Sequence, residues 1–347
     1  MITKPAILLP HAWPIADRNV WIAAGKPHVR LKAGGRAGHM RASTRNGLAS
    51  TYGQFLATCA SNGQGTGAVT PCELVTQGNV AVFVDGLERR VSSVTVATII
   101  YRLYRIACLL RPDVDWCWLC EIWLDRKDRM QRRSLSHRLV TGGRLYRLGV
   151  SLMQEADANE RLNRRWRAGR YRNGLLVALL AIAPIRLANL HQLEIGRTLI
   201  RQENEWWIVL PASETKGRRP DEKPLGAELS AFIDHWIEVW RPAFNPTCDT
   251  LWPSPEGGTL AYTYVGGVVT DTTRKGLGVA VNPHLFRSCL VETLVTHAPE
   301  QAAMASPILQ HTDHRTTQTF YNRGKARVAF AKYQKVILGR TENMKER

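Results

Sequence analysis

The longest uninterrupted apolar stretch of the chain covers residues 175–185 and is followed at once by Arg186. A membrane-spanning helix needs about 20 apolar residues, so this stretch is too short to cross a bilayer. It therefore predicts a segment buried in the core of a folded domain. A guanidinium directly after such a segment is costly to bury unless it binds an anion or a carboxylate, although an arginine at a helix end can also reach solvent.

The composition predicts a folded protein with two domains. Hydrophobic residues make up 44% of the 347 residues, which excludes a wholly disordered chain, and the length suggests two domains. Seven cysteines are an odd, thinly spread set that fits reduced thiols better than a disulfide framework. Pro10 interrupts the short apolar patch near the N-terminus, so we expect no signal peptide and an intracellular, soluble protein.

Basic residues are concentrated in the first half of the chain. The chain contains 47 Lys and Arg against 29 Asp and Glu, a net charge of +18. Residues 1–170 carry +14 of that charge and residues 171–347 carry +4. Residues 18–45 hold seven basic residues and no acidic one, and residues 126–170 hold thirteen basic and four acidic. This concentration favours a nucleic-acid surface over a solvated surface that is basic throughout.

The first part of the chain is expected to be helical. Residues 1–42 show no lasting period and predict a basic N-terminal arm that is poorly ordered by itself. Helices are expected over residues 44–60, 79–90, 93–110 and 116–127. A basic connection follows, with Gly142 and Gly143 near its end. We therefore predict a helical domain over residues 43–140.

The second part, residues 141–347, is expected to be a mixed α+β domain. Three short strands, separated by polar turns, would form a meander over residues 198–201, 206–210 and 222–225. Helical patterns follow over residues 227–241, 262–275, 285–297, 299–310 and 326–338. The predicted fold class is thus mainly α with a small three-stranded β-meander.

A helix start near residue 283 could carry chemistry. Asn282 can cap this helix and Pro283 suits its first turn, which puts His284 and Arg287 one turn apart on the same face. Amides at a helix N-terminus attract phosphate oxygens, and these two side chains could donate further hydrogen bonds to them. An ordinary surface pair at a helix start is an equally good interpretation.

Two histidine or cysteine pairs raise the question of a metal site. His311 and His314 lie in a segment that predicts a short helix reaching Tyr321, but no third ligand stands at a usual zinc spacing. Cys117 and Cys120 lie in an apolar helical stretch, which favours buried structural cysteines. We therefore expect no metal site.

Five separated motifs follow one another in a characteristic order. They are Pro-Ile-Arg-Leu-Ala-Asn-Leu around Arg186, Ser-Glu-Thr-Lys-Gly-Arg-Arg-Pro around Lys216, His284-x-x-Arg287, Leu-Gln-His ending at His311, and Thr-Thr-Gln-Thr-Phe-Tyr ending at Tyr321. In this order, around the predicted meander, they resemble the catalytic domain of tyrosine recombinases of the phage-integrase type. The resemblance covers roughly residues 141–340. The helical first part resembles the family's core-binding domain in organisation alone.

The resemblance implies a fold, a reaction and partners. The fold would be an N-terminal helical core-binding domain followed by a mixed α+β catalytic domain. The reaction would be site-specific cleavage and rejoining of DNA through a 3′-phosphotyrosyl intermediate, without metal, ATP or other cofactor, for a mobile genetic element. The partners would be double-stranded DNA and a homo-tetramer on DNA, with or without sister recombinases, in the cytoplasm at the nucleoid of a prokaryotic host.

The resemblance also implies a role for each catalytic residue. Arg186 and Arg287 would hold the non-bridging oxygens of the scissile phosphate, and His284 would accept the proton of the tyrosine nucleophile. Lys216 would protonate the departing 5′ oxygen, and His311 would hydrogen-bond the phosphate.

The basic first half would supply the contacts that hold the duplex. Phosphate contacts from residues 126–170 and from the helical domain would clamp DNA from the side opposite the catalytic domain. The side chains expected to make these contacts are Arg126, Lys127, Arg132, Arg133, Arg164, Arg165 and Arg167.

Some positions depart from the family pattern or leave a choice open. Gln310 stands where the family usually has Gly, and Asn189 where it usually has Glu. Lys223 competes with Lys216 for the lysine position, and Tyr333 is a distant alternative nucleophile. Two other functions therefore remain open: an inactive DNA-binding accessory protein of the same fold, and a type IB-like topoisomerase.

Overall fold

The chain folds into two compact units, Met1–Ser134 and Leu135–Arg347. The computed structural model describes residues 6–30, 32–64, 67–131 and 134–309. Each unit has a hydrophobic core of its own. The division lies close to the expected domain boundary between residues 140 and 141.

The described part of the first unit is built from helices. They are α1 (Ile15–Ala24), α2 (Ala42–Ser61), α3 (Gln77–Glu88), α4 (Ser93–Leu110) and α5 (Cys117–Asp128). Polar caps fix two of the starts, since Thr76 accepts from the amide of Asn79 and Ser92 from that of Thr95. The four helices expected from the sequence, α2 to α5, are confirmed.

Helix α4 is the apolar centre of this unit. Its length and composition would allow it to cross a membrane, but half of its apolar window is buried inside the unit. Leu103, Ile106 and Ala107 have no exposed surface. We therefore describe α4 as a core helix.

The expectation of a poorly ordered arm over residues 1–42 is wrong for its described part. A short 3-10 helix, Pro10–Ala12, precedes α1, and Trp13 and Trp21 are buried in the core of the unit. The Trp13 ring packs edge-on against Tyr52, with ring centroids 5.0 Å apart. The ten residues of α1, with Trp21 as the core aromatic among them, are too few to show a period in the sequence.

The second unit combines helices with a small sheet. Its elements, in chain order, are α6 (Gly142–Ala158), α7 (Arg164–Ile182), α8 (Leu187–His191), β1 (Leu199–Gln202), β2 (Glu205–Leu210), β3 (Asp221–Pro224), α9 (Gly226–His235), α10 (Tyr262–Leu277), α11 (Pro283–His297) and α12 (Ala305–Leu309). The strands form an antiparallel sheet in the order β1-β2-β3, with Ile200 opposite Trp207 and Ile208 opposite Lys223. The predicted meander and the mainly α fold class are confirmed.

The predicted helices of this unit agree with the structure as far as it describes the chain. Helix α9 continues as the π-helix Trp236–Trp240, and the helix expected over residues 299–310 consists of the 3-10 helix Pro299–Met304 followed by α12. The helix expected over residues 326–338 lies outside the described residues.

The sequence predicts no helix between Gly143 and the apolar stretch, where the structure has α6 and the first half of α7. The two helices cross with their backbones in close contact, because a Cβ atom added at Gly149 would lie 2.6 Å from the carbonyl oxygen of Gly174. A Cβ at Gly174 would lie equally close to the carbonyl oxygen of Gly149. The crossing therefore depends on two glycines that lie far apart in the sequence.

Candidate active site

The apolar stretch after Gly174 forms the buried half of α7 and ends directly before Arg186. All residues from 175 to 180 have no exposed surface, which confirms the predicted core segment. The chain leaves the helix through the buried residues Ala183, Pro184 and Ile185. Arg186 then takes an extended conformation, φ −71° and ψ 147°, as the residue that precedes α8, and its side chain is half-buried. The core of the unit thus fixes the backbone that presents this guanidinium.

Lys216 lies in the loop between β2 and β3. The neighbouring Thr215 is buried and ties the loop, since its hydroxyl donates to the carbonyl of Ala212 at 3.2 Å or of Arg219 at 2.6 Å and accepts from the amide of Arg219 at 3.1 Å. Lys216 itself is exposed. The loop is thereby closed around Thr215, while the lysine extends from its surface.

Asn189 connects this loop to the helix that follows Arg186. Its side-chain amide is buried and donates to the carbonyl of Glu214 at 3.1 Å. Glu214 also accepts from the guanidinium of Arg197 at 2.6 Å. In the sequence, Asn189 stands out only as a departure from the family pattern. Its contact with residue 214 is tertiary, so no local signal predicts it.

Helix α11 begins as the sequence predicts. The side chain of Asn282 accepts from the amide of Leu285 at 3.0 Å, and Pro283 is the first residue of the helix. His284 stays accessible to solvent, whereas Arg287 is 7% exposed. The Arg287 guanidinium donates to the carbonyl of Pro184 at 2.9 Å and to the carbonyl of Leu309. Arg287 therefore lies against the segment that carries Arg186.

The electrostatics show that four of the expected catalytic residues come together. The pKa of His284 is lowered, first by the protein that displaces water from part of its ring and then by the positive charges of Arg287, Arg186 and Lys216. Burial and the charge of Arg186 lower the pKa of Arg287 to about 10, against the opposing effect of Asp221. A cluster of three cations and a neutral imidazole is an arrangement suited to a dianionic transition state.

Solved structures of other proteins resemble most of this chain. A XerH site-specific recombinase bound to difH substrate, in a pre-cleavage complex, superimposes with a TM-score of 0.56 at 13% identity over 92% of this chain and 96% of that one. A lambda integrase dimer bound to a COC′ core site gives a TM-score of 0.54 at 13% identity over 91% of this chain and 78% of that one. The chain has the tyrosine recombinase fold. No family model and no curated protein matches the sequence.

The other two residues that the sequence predicts to be catalytic lie outside the described residues. His311 and Tyr321, together with Gln310 and the alternative nucleophile Tyr333, belong to residues 310–347. Their placement in the site stays a prediction.

Lys216 and Lys223, the two candidates for the catalytic lysine, have different surroundings in the structure. The charge of Lys216 acts on His284, as expected for a lysine at the site. Lys223 lies in β3, where its ammonium donates to Asp221 at 2.7 Å and to the carbonyl of Ile308 at 2.9 Å. Lys223 is thus held by groups of the protein, and the role of Lys216 as the catalytic lysine stays a prediction.

Three expected DNA contacts lie in the first turn of α7. Arg164 donates to the carbonyl of Val239 at 3.3 Å, and Arg165 donates to the carbonyl of Pro255. Arg167 donates at 2.7 Å to each of the carbonyls of Ala156 and Asp157 and lies over the ring of Trp240, 4.7 Å from its centroid. The 19 residues of α7 put about 28 Å between this end and the end near Arg186. The arginines at this end and Arg186 are therefore too far apart to bind the same phosphate.

The other residues expected to contact DNA belong to the first unit. Arg126 forms an ion pair with Glu88 at 2.7 Å. Lys127 is exposed and lies over the ring of Trp123, 5.3 Å from its centroid. Arg132 and Arg133 are outside the described residues.

The cysteine pair of the first unit differs from expectation. Cys117 is exposed and Cys120 is partly exposed, so the expectation that both are buried is wrong. The reason is that Leu119, between them, is the residue that α5 directs into the core. Within the described residues, no group of three or more His, Cys, Asp or Glu side chains is arranged to hold a metal ion.

Proposed function

We propose that this protein is a site-specific DNA recombinase that cleaves and rejoins DNA through a 3′-phosphotyrosyl intermediate. The observation that carries the proposal is the convergence of Arg186, Lys216, His284 and Arg287 from four separate segments. The tyrosine recombinase fold supports it, because the chain presents these side chains on a scaffold shared with proteins that are described as recombinase and integrase.

The two arginines would bind the scissile phosphate. A guanidinium has five N–H donors in a planar fork that matches two phosphate oxygens. Among the described residues, Arg287 uses donors on its two terminal nitrogens for the carbonyls of Pro184 and Leu309, and the remaining three can face a phosphate. Together with Arg186 it would offset the negative charge that grows on the pentacoordinate phosphorus, the role that a metal ion has in other phosphoryl-transfer enzymes.

Proton transfer would involve His284 and Lys216. The hydroxyl of Tyr321 would attack phosphorus, its proton would pass to His284, and the bond to the 5′ oxygen would break as Lys216 donates a proton to that oxygen. The lowered pKa of His284 keeps the imidazole neutral and able to accept a proton at neutral pH. The phosphotyrosyl bond conserves the energy of the phosphodiester, so a 5′ hydroxyl can reverse the step without ATP.

The basic surplus supports a double-stranded DNA substrate. The +18 net charge attracts phosphates, and the exposed Lys127, Arg164 and Arg165 are the expected contacts that remain open to solvent in the described part. Exchange of strands requires two duplexes, so we further propose a tetramer on DNA, in the service of a mobile genetic element, in the cytoplasm.

The test is the capture of the covalent intermediate. Duplexes that the protein enriches from a random library are nicked beside each candidate cleavage position, so that the short 5′ fragment diffuses away after cleavage. We expect a denaturation-resistant adduct with the wild-type protein and with Tyr333→Phe, and no adduct with Tyr321→Phe. Absence of an adduct with the wild-type protein on every selected duplex would contradict the proposal and leave a DNA-binding protein.

A plasmid assay separates recombination from relaxation. A supercoiled plasmid with a single selected site allows a topoisomerase to act but offers a recombinase no partner site within the same molecule. We expect recombinant products only when two sites are present. Relaxation of the single-site plasmid without any recombinant product from the two-site plasmid would favour a type IB-like topoisomerase.

A further inference from the structure

Lys223 occupies a position that the proposed mechanism does not use. It lies in β3, and its ammonium donates to Oδ1 of Asp221 at 2.7 Å and to the carbonyl of Ile308 at 2.9 Å. The side chains of Lys223 and Asp221 are both 13% exposed. A lysine that is this buried and paired with a carboxylate is a poor ligand for a DNA phosphate, because its charge is already neutralised.

The carbonyl that Lys223 binds belongs to Ile308, in the described part of α12. Lys223 binds the carbonyl of Ile308, and Arg287 binds the carbonyl of the next residue, Leu309. Two positive side chains from two other elements, β3 and α11, therefore hold the last two described residues before His311.

Lys223 and Arg287, the two side chains that hold α12, differ in their expected contact with DNA. Arg287 lies beside Arg186 and His284, so the guanidinium that bonds the Leu309 carbonyl is also expected to bind a phosphate with its remaining donors. Lys223 is fixed by Asp221 and bonds a carbonyl that is not part of this cluster. Lys223 is therefore the anchor of α12 that has no expected contact with DNA.

We propose that Lys223 is a positioning residue that anchors α12 through the Ile308 carbonyl and thereby places the following chain, which carries His311 and Tyr321, for phosphoryl transfer. The inference rests on the proposed function for its catalytic consequence, since it assumes that Tyr321 is the nucleophile. The anchor itself is a property of the folded chain and can be measured without DNA.

Hydrogen exchange tests the anchor directly. In the DNA-free full-length protein, we expect Lys223→Met to exchange the amides of residues 299–309 about fivefold faster than the wild type, with the core amides of α7 unchanged. Lys223→Arg keeps a donor and is expected to restore most of the protection. Lys275→Met, which removes an exposed lysine of α10, serves as the charge-matched control and is expected to have no effect. Equal exchange in wild type and Lys223→Met would overturn the proposal.

A cleavage assay tests the consequence and separates the two lysines. The substrate is the selected nicked duplex with the bridging 5′ oxygen at the cleavage position replaced by sulfur, which leaves as a thiolate and needs no proton. At saturating DNA we expect Lys223→Met to cleave about tenfold to a hundredfold more slowly than the wild type, on both the oxygen and the sulfur substrate. Lys216→Ala is expected to be slow on oxygen and close to wild type on sulfur.

Each result has a distinct meaning. If sulfur restores cleavage by Lys223→Met, then Lys223 is the general acid and the positioning role is wrong. If Lys223→Met exchanges faster at residues 299–309 but cleaves at the wild-type rate, the anchor exists and does not position the nucleophile, which also overturns the proposal. If the wild-type protein forms no adduct at all, the proposed function fails, and hydrogen exchange still decides whether Lys223 holds α12.

Discussion

Each end of α7 lies beside a cluster of positive side chains, and the two clusters differ in the structure. At the N-terminal end, Arg164, Arg165 and Arg167 each donate to backbone carbonyls of the same unit. Beyond the C-terminal end, Arg186 lies within electrostatic reach of His284 and Arg287. In the first cluster each guanidinium bonds a carbonyl of the protein. In the second cluster the positive charges lie close to one another.

The difference shows which basic residues point to chemistry. Crowded cations depress the pKa of one another, an arrangement that costs free energy in the empty protein and becomes favourable when an anion binds. Arg287 bonds backbone carbonyls as well, so the crowding of positive charge, and not the carbonyl contacts, marks the second cluster. The count of basic residues along the sequence does not reveal the difference, because it is high in the first turns of α7 and low around Arg186.

The largest expected effect is on cleavage, at the crowded end. Under single-turnover conditions with saturating selected DNA, we expect Arg186→Ala to lower the cleavage rate by about a hundredfold to a thousandfold, because one charged donor to the transition state is lost. Arg165→Ala removes an exposed guanidinium at the other end of α7 and is expected to change the rate by less than about threefold. A loss of less than about tenfold for Arg186→Ala, or equal losses for both variants, would remove the distinction between the two ends.

The next effect concerns the helix that separates the two clusters. Gly149→Ala would force a methyl group to within 2.6 Å of the Gly174 carbonyl, so the crossing of α6 and α7 must open. We expect a loss of about 1–3 kcal/mol in the free energy of unfolding, measured by urea denaturation. Gly169→Ala is the matched control in α7, since nothing lies within 4 Å of its added Cβ, and it is expected to stabilise by about 0.5–1 kcal/mol. Equal destabilisation of both variants would contradict the close crossing.

A smaller effect tests the structural role of the N-terminal cluster. Arg167→Ala loses the two 2.7 Å bonds to the end of α6 and the contact with the Trp240 ring. We expect the free energy of unfolding to fall by about 1–2 kcal/mol, whereas Arg164→Ala, with one 3.3 Å bond, changes it by less than about 0.5 kcal/mol. If Arg167→Ala instead leaves stability unchanged and weakens DNA binding, Arg167 is a phosphate contact, as the sequence suggests.

The parts of the site that the sequence predicts are those encoded by neighbouring residues. The apolar run fixes the position of Arg186, and Asn282 with Pro283 fixes the helix start that carries His284 and Arg287. The meander follows from short alternating strands around polar turns. Each of these signals is complete within a few residues of sequence.

The parts that the sequence does not reveal depend on contacts between distant positions. The α6–α7 crossing requires Gly149 to meet Gly174, and the choice between Lys216 and Lys223 depends on the carbonyl of Ile308. Helix α1 is too short to show a period, and its place in the core is set by Trp13 against Tyr52. Such contacts carry no local signal, so a single sequence leaves them open.

The subtlest expected effect is the titration of His284, which reports the crowding of charge without any DNA. Its lowered pKa means that the unfolded chain binds the proton more readily than the folded protein. The lowered pKa therefore leaves the free energy of unfolding unchanged above pH 6.5, the ordinary value for histidine. Below that pH it reduces the free energy of unfolding, and the reduction grows as the pH falls through the pKa of the folded protein. In cleavage, the same shift extends the neutral, proton-accepting form to lower pH than an ordinary histidine allows.

Charge removal at either end of α7 isolates the cause of this shift. In protein with labelled histidine rings, with the resonance assigned by His284→Gln, we expect Arg186→Gln and Lys216→Gln to raise the pKa of His284, because each removes a positive charge beside the imidazole. Arg164→Gln removes the same charge about 28 Å away along α7 and is expected to leave the titration unchanged, since that distance exceeds the screening length in 0.15 M salt. An unchanged His284 titration in Arg186→Gln would mean that burial alone lowers the pKa. The guanidinium and the imidazole would then not share one phosphate site, and the contrast between the two ends of the helix would lose its physical basis.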